Sequence, residues 1–190
     1  ADLRSTQWIA DTSRAIHDEK KPDLTLIYLP HLDYCLQKYG PHDPRVAVFE
    51  TPPLERDLTV VGAMAAELSI SSSIEDAQVW VKVFDVAPDS TAFNLMSSGL
   101  DVLRASYRNG NKKREPLKPG EIYRVRLGDL LTANTFKAGH RIRVVVSTSF
   151  APDFEPMKQP YRLTIHHSAE HPSRLVLPVY PASAMLSADQ

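Results

Sequence analysis

The sequence predicts a mainly β chain, an antiparallel β-sandwich or jelly roll preceded by a short α/β segment, on three observations. From residue 45 onward, apolar residues recur with a period of two in short runs. Turn chemistry stands between the runs, as Thr51-Pro52-Pro53, Ala87-Pro88-Asp89, Asn109-Gly110-Asn111, Lys118-Pro119-Gly120 and Ala151-Pro152-Asp153. Helical periodicity is confined to the beginning of the chain, so the sequence divides into residues 1–44 and a sandwich over 45–190.

In residues 5–20, Trp8, Ile9, Ala15 and Ile16 recur at helical spacing, and Asp18-Glu19-Lys20-Lys21-Pro22 ends the helix. Residues 24–29, Leu-Thr-Leu-Ile-Tyr-Leu, form an apolar run of strand length, suited to a strand covered on both faces. A second helix over 33–39 stops at Gly40-Pro41. The predicted strands of the sandwich are 46–49, 58–61, 78–84, 122–127, 141–146, 161–165 and 174–179, with Ser71-Ser72-Ser73 as a flexible turn.

Composition excludes several classes. A net charge of −1 provides no field for nucleic acid or an anionic membrane, and the one basic run, Lys112-Lys113-Arg114, is followed by Glu115. No stretch approaches the roughly 20 apolar residues of a membrane helix, and no secretory leader is visible at the start. The missing initial Met fits a processed product or an excised segment. The single cysteine, Cys35, rules out an internal disulfide framework. The seven glycines are never closer than eight positions, which excludes GxSxG, GxGxxG and GxxxxGK in their standard forms.

Most titratable candidates have a structural reading. His140, between Gly139 and a strand, is placed to bond a loop carbonyl rather than to catalyse. His166, His167 and His171 are the densest cluster, but neighbouring strand residues point to opposite faces, which argues against a metal held by His167 and His171. Asp85, Asp89 and Asp101 lack the spacing of a calcium loop and read as solvated turn residues. Trp80 and Phe84 fall on one face of a strand and read as core. Nothing in the sequence places a base beside Ser71, Ser72 or Ser73.

Six phrases carry a resemblance to a known family: Val48-Phe49-Glu50-Thr51-Pro52-Pro53-Leu54-Glu55-Arg56-Asp57-Leu58, Val83-Phe84-Asp85-Val86-Ala87-Pro88-Asp89, Leu103-Arg104-Ala105-Ser106-Tyr107-Arg108, Leu117-Lys118-Pro119-Gly120-Glu121-Ile122-Tyr123, Phe136-Lys137-Ala138-Gly139-His140-Arg141-Ile142-Arg143 and His171-Pro172-Ser173-Arg174-Leu175-Val176-Leu177-Pro178. Over roughly residues 45–181 the chain resembles the C-terminal domain of the X-Pro dipeptidyl-peptidase and cocaine-esterase (CocE/NonD) serine hydrolases. The resemblance implies a jelly roll of the galactose-binding-like type, packed on an α/β-hydrolase domain that holds the catalytic triad. Residues 1–41 resemble a piece of the nucleotide pyrophosphatase and phosphodiesterase family, through Lys21-Pro22-Asp23-Leu24-Thr25-Leu26-Ile27-Tyr28-Leu29 and the stretch from Asp33 to Pro41. Asp33 matches a metal-binding Asp of that family, but Gln37 stands where its His is expected.

Two families abutting at 41–45 imply a chimera, with a fusion or an excised fragment as alternatives. Residues 24–29 would then add to an otherwise open sheet edge. The function expected is that of an accessory sandwich shaping or capping an active site on an α/β-hydrolase partner, with no catalytic residue, metal or cofactor of its own. The alternative is a free-standing hydrolase, either a metal phosphodiesterase built on Asp33 or a cryptic esterase. A docking face left in water predicts a homodimer; no nucleic-acid or membrane partner is expected.

Overall fold

The structure, a computed structural model, describes residues 46–96, 101–110, 112–149 and 156–180. The predicted helices over 5–20 and 33–39, the strand over 24–29, and Asp33, Cys35 and Gln37 lie outside the described residues.

Two antiparallel sheets face each other. The first has the order β1 (Val46–Glu50), β7 (Arg141–Ser147), β3 (Gln78–Val86), with β4 (Ala92–Asn94) and β5 (Val102–Arg104) pairing opposite ends of the free edge of β3. The second has β6 (Tyr123–Phe136) beside β2 (Leu58–Ser72), whose other edge is paired by β8 (Leu163–His166) and β9 (Arg174–Val176). Between them lies the main core. Val60, Met64, Ala66, Leu68 and Ile70 of β2 meet Val79, Val81 and Val83 of β3, flanked by Leu130, Phe136, Ile142 and Val146. Each such side chain, fully removed from water, contributes about 1.5–3 kcal/mol before the entropy of ordering it is counted. The predicted mainly β sandwich is therefore the fold observed among the described residues.

Several boundaries differ from the sequence reading. The strand predicted over 58–61 runs on to Ser72, so Ser71 and Ser72 belong to a strand and not to a flexible turn. Residues 62–70 hold three alanines with Met64 and Leu68 and lack β-branched residues until Ile70, yet they are strand because β6, β8 and β9 pair along them. The strand predicted over 122–127 continues to Phe136 through an irregularity. Met64 pairs with Leu130 and Ala66 with Leu127, so Gly128 and Asp129 together oppose Ala65, and Asp129 takes φ 59°. This bulge keeps the inward side chains in step on both sides of it. The stretch predicted over 174–179 shortens to β9, followed by a lone bridge from Val179 to Val60. Strands β4 and β5 are too short to carry an alternating pattern and escaped prediction.

The turns follow their chemistry. At 118–121 Pro119 is followed by Gly120 at φ +79°, and the Glu121 N–H donates to the Lys118 carbonyl at 3.1 Å. The turn that carries the chain from β6 in one sheet to β7 in the other closes the same way, Gly139 adopting φ +84° and the His140 N–H reaching the Lys137 carbonyl at 3.0 Å.

Candidate functional site

Four polar groupings and one apolar surface stand out. At one end of the sandwich, His140 Nδ1 lies 2.7 Å from Asp85 Oδ1, and Asn134 donates to the other carboxylate oxygen at 3.2 Å. Asp85 comes from one sheet and Asn134 from the other, so this network ties the layers together. His140 thus bonds a carboxylate rather than the carbonyl expected.

Asp85 and Asp101 are buried, at 7% and 0% exposure, which corrects their reading as solvated turn residues. Asp101 is ion-paired with the buried Lys82 amine. Asp89 does occupy a turn, where its carboxylate accepts the Thr91 N–H at 2.9 Å, and that bond leads the influences holding its pKa below the ordinary value. The three carboxylates are used separately, Asp85 by His140 and Asn134, Asp101 by Lys82 and Asp89 by its own turn.

Asp76 is a buried hub that the sequence did not flag. Its carboxylate accepts the N–H groups of Ala77 at 2.9 Å and Ser106 at 3.0 Å, the Ser106 hydroxyl at 2.9 Å and Arg104 Nε at 2.7 Å. Burial pushes its pKa up, but the Arg104 and Ser106 bonds more than offset this and hold it below the usual aspartate range. Beside it opens a cleft of about 480 Å³ lined by Glu75, Asp76, Arg104, Arg114 and Met157. Two guanidinium groups face two carboxylates there, so it has no strong preference for either sign of ligand.

The histidines pair differently from the sequence reading. His167 meets the Phe49 ring edge-on, with centroids 6.0 Å apart, and His166 meets His171 at 6.1 Å. His166, the last residue of β8, reaches Ser71, whereas His167, just beyond the strand, reaches Phe49, so the two do not converge on one site. Ser71 Oγ lies 2.9 Å from His166 Nε2, so a base does stand beside that serine, contrary to expectation. The contact arises because β2 and β8 pair Ser71 with Thr164 and Ser69 with His166, making Ser71 and His166 diagonal neighbours on one face. Activation of a serine needs its base oriented by a third group and donors aimed at the oxyanion. Among the described residues, the histidine ion-paired to a carboxylate is His140, not His166.

The apolar surface is the outer face of the four-stranded sheet. Val61 pairs with Ala133 and Ala63 with Leu131, and all four point away from the core. Val61 is 51% exposed and Leu131 60%, with Val176 and Tyr180 also exposed beside them. Further along the same face the surface turns polar: Glu67 lies between Arg126 at 2.7 Å and Arg174 at 2.7 Å. The Arg174 hydrogen bond is the main reason its carboxyl sits below the ordinary glutamate range. An apolar patch with a charged border is the pattern of a docking face.

Comparison with known proteins agrees with this geometry. Residues 11–176 match the family described as the X-Pro dipeptidyl-peptidase C-terminal non-catalytic domain. The cocaine esterase of Rhodococcus sp. (strain MB1 Bresler) is 33% identical over 161 residues, covering 74% of this chain and 28% of that protein. Among solved structures, an aminopeptidase from a marine sediment Thaumarchaeota archaeon superimposes with a TM-score of 0.67 at 28% identity, covering 76% of this chain and 27% of that one. An α-amino acid ester hydrolase gives a TM-score of 0.65 at 26% identity, covering 76% and 27%. The chain thus corresponds to about a quarter of each of these relatives.

Proposed function

Since the chain belongs to the family of X-Pro dipeptidyl-peptidase C-terminal non-catalytic domains, we propose that it is the accessory β-sandwich of a serine hydrolase of the cocaine-esterase type. It shapes or caps an active site supplied by a separate α/β-hydrolase domain. The observation carrying this reading is the apolar outer face around Val61, Ala63, Leu131 and Ala133, which contributes nothing to the core of the sandwich. Burying it against a partner would stabilise a complex at roughly 25 cal/mol per Å² of apolar surface, less the cost of association.

The test is reconstitution with the α/β-hydrolase part of a relative expressed without its own C-terminal domain. Light scattering coupled to gel filtration should show a one-to-one complex that Leu131→Glu abolishes and Lys113→Ala, in an exposed loop, leaves intact. Absence of a complex, or a complex indifferent to Leu131→Glu, overturns the assignment of this face. A homodimer of the chain alone that Leu131→Glu dissolves would instead assign the face to a second copy.

The Ser71–His166 contact gives the cryptic-esterase reading one supporting observation. A phosphodiesterase built on Asp33 has none among the described residues. The chimera reading rests on the phrases within residues 1–41 alone, and the family match begins inside that segment, at residue 11.

A further inference from the structure

The outer face of the four-stranded sheet changes character along its length. Strand register sets its outward residues in rows: Val61 beside Ala133, Ala63 beside Leu131, then Glu67 between Arg126 and Arg174, then Ser69 between Arg124 and His166. One half of the face is therefore apolar, and the other carries three arginines within two successive outward rows. The Arg126 and Arg174 side chains are 59% and 66% exposed, and Arg124 is exposed beside them. Even counting Asp129 of the adjacent bulge with Glu67, three guanidiniums stand against two carboxylates here, in a chain whose formal net charge is −1.

The hydrogen bonds show what these arginines can still hold. Glu67 gives one oxygen to each neighbour, Oε1 accepting from Arg126 Nη1 at 2.7 Å and Oε2 from Arg174 Nε at 2.8 Å and Nη2 at 2.7 Å. Each guanidinium is thereby anchored by part of its fork. Nε and Nη2 of Arg126 and Nη1 of Arg174 have no partner among the described residues, and Arg124 has no carboxylate partner there. Side chains already held in place lose less freedom when they bind a further carboxylate than free ones do.

We propose that Arg124, Arg126 and Arg174 receive carboxylates of the α/β-hydrolase domain, so that the partner's surface is an apolar patch bordered on one side by Asp or Glu side chains. The inference rests on the docking reading and deepens it, giving the partner's surface a chemistry and the complex an orientation. An apolar half and a basic half can be matched to such a surface in only one direction along the strands. The two halves then do different things. Contact around Val61 and Leu131 persists in salt, whereas the arginines speed encounter and fix register, and their attraction is screened as salt rises. Arginine suits the second task because its planar fork can grip a carboxylate through two parallel N–H bonds.

Surface plasmon resonance on the full chain and the α/β-hydrolase part of a relative, at low and high salt, separates this inference from the reading beneath it. Arg124→Glu should weaken binding about tenfold at low salt, mainly through slower association, and less than about twofold at high salt. Lys113→Glu, the same charge change in an exposed loop, should leave binding unchanged. A second measurement, carbodiimide labelling of the complex read by mass spectrometry, should find at least one Asp or Glu of the partner protected by the parent chain and more heavily labelled with Arg124→Glu. A complex that Leu131→Glu abolishes but Arg124→Glu does not weaken, or in which no partner carboxylate is protected, overturns the inference and leaves the docking reading standing. Absence of a complex at either salt, or a complex indifferent to Leu131→Glu, overturns both.

Discussion

Asp76 shows how much one side chain can hold. Its two oxygens satisfy two backbone N–H groups, a hydroxyl and a guanidinium, joining the start of β3 to the turn after β5. Removing it strands buried donors, each costing about 1–3 kcal/mol. Asp76→Ala should lower unfolding stability by about 3 kcal/mol in urea titration, and Asp76→Asn by about 2 kcal/mol because one oxygen remains. Its folded pKa lies below the ordinary value of 3.8, so its contribution is complete above that value and disappears as pH falls through the folded pKa. Acid titration of Asp76→Asn should therefore show a shallower loss of stability below about pH 4 than the parent chain. At this scale the sequence revealed which residues share a face, as for Trp80 and Phe84, because alternation is local. It did not reveal Asp85 with His140, or Ser71 with His166. Those pairs are 55 and 95 positions apart and meet only through strand register.

Among the elements, β2 is the organising strand, paired by β6 along one edge and by β8 and β9 along the other. Only its first residues announced a strand, since a stretch of three alanines with Met64 and Leu68 reads equally as helix until its partners are known. The β6 bulge was also hidden, because Gly128-Asp129 looks like the end of a strand rather than an interruption. Asp129 at φ 59° pays a backbone penalty that glycine would not. Asp129→Gly should raise the urea midpoint by the equivalent of about 0.5 kcal/mol, and Asp129→Val should lower it by about 1–2 kcal/mol, both with an unchanged m-value. A lowered midpoint in Asp129→Gly would mean that the carboxylate, not the backbone, sets the bulge.

At the scale of the whole molecule, period-two patterning and Pro/Gly turns made the sandwich legible, and the quoted phrases made the family legible. Which outer face is open was legible only in part: β3 carries the almost unbroken apolar run Val79-Trp80-Val81-Lys82-Val83-Phe84 of a strand buried on both sides, but a run that short also fits ordinary alternation broken by one or two apolar outward residues. Trp80 illustrates the difficulty: its sequence position says only that it shares a face with Phe84, whereas the structure puts both on the outward side of a buried strand. The central claim is that this domain assists chemistry without performing it. Nitrophenyl ester hydrolysis by the purified chain, with and without a serine-directed phosphonate, tests it most directly. The purified chain should show no turnover above buffer, no covalent phosphonate adduct by mass spectrometry, and no difference between the parent chain and Ser71→Ala. Phosphonate-sensitive turnover that disappears in Ser71→Ala would contradict it.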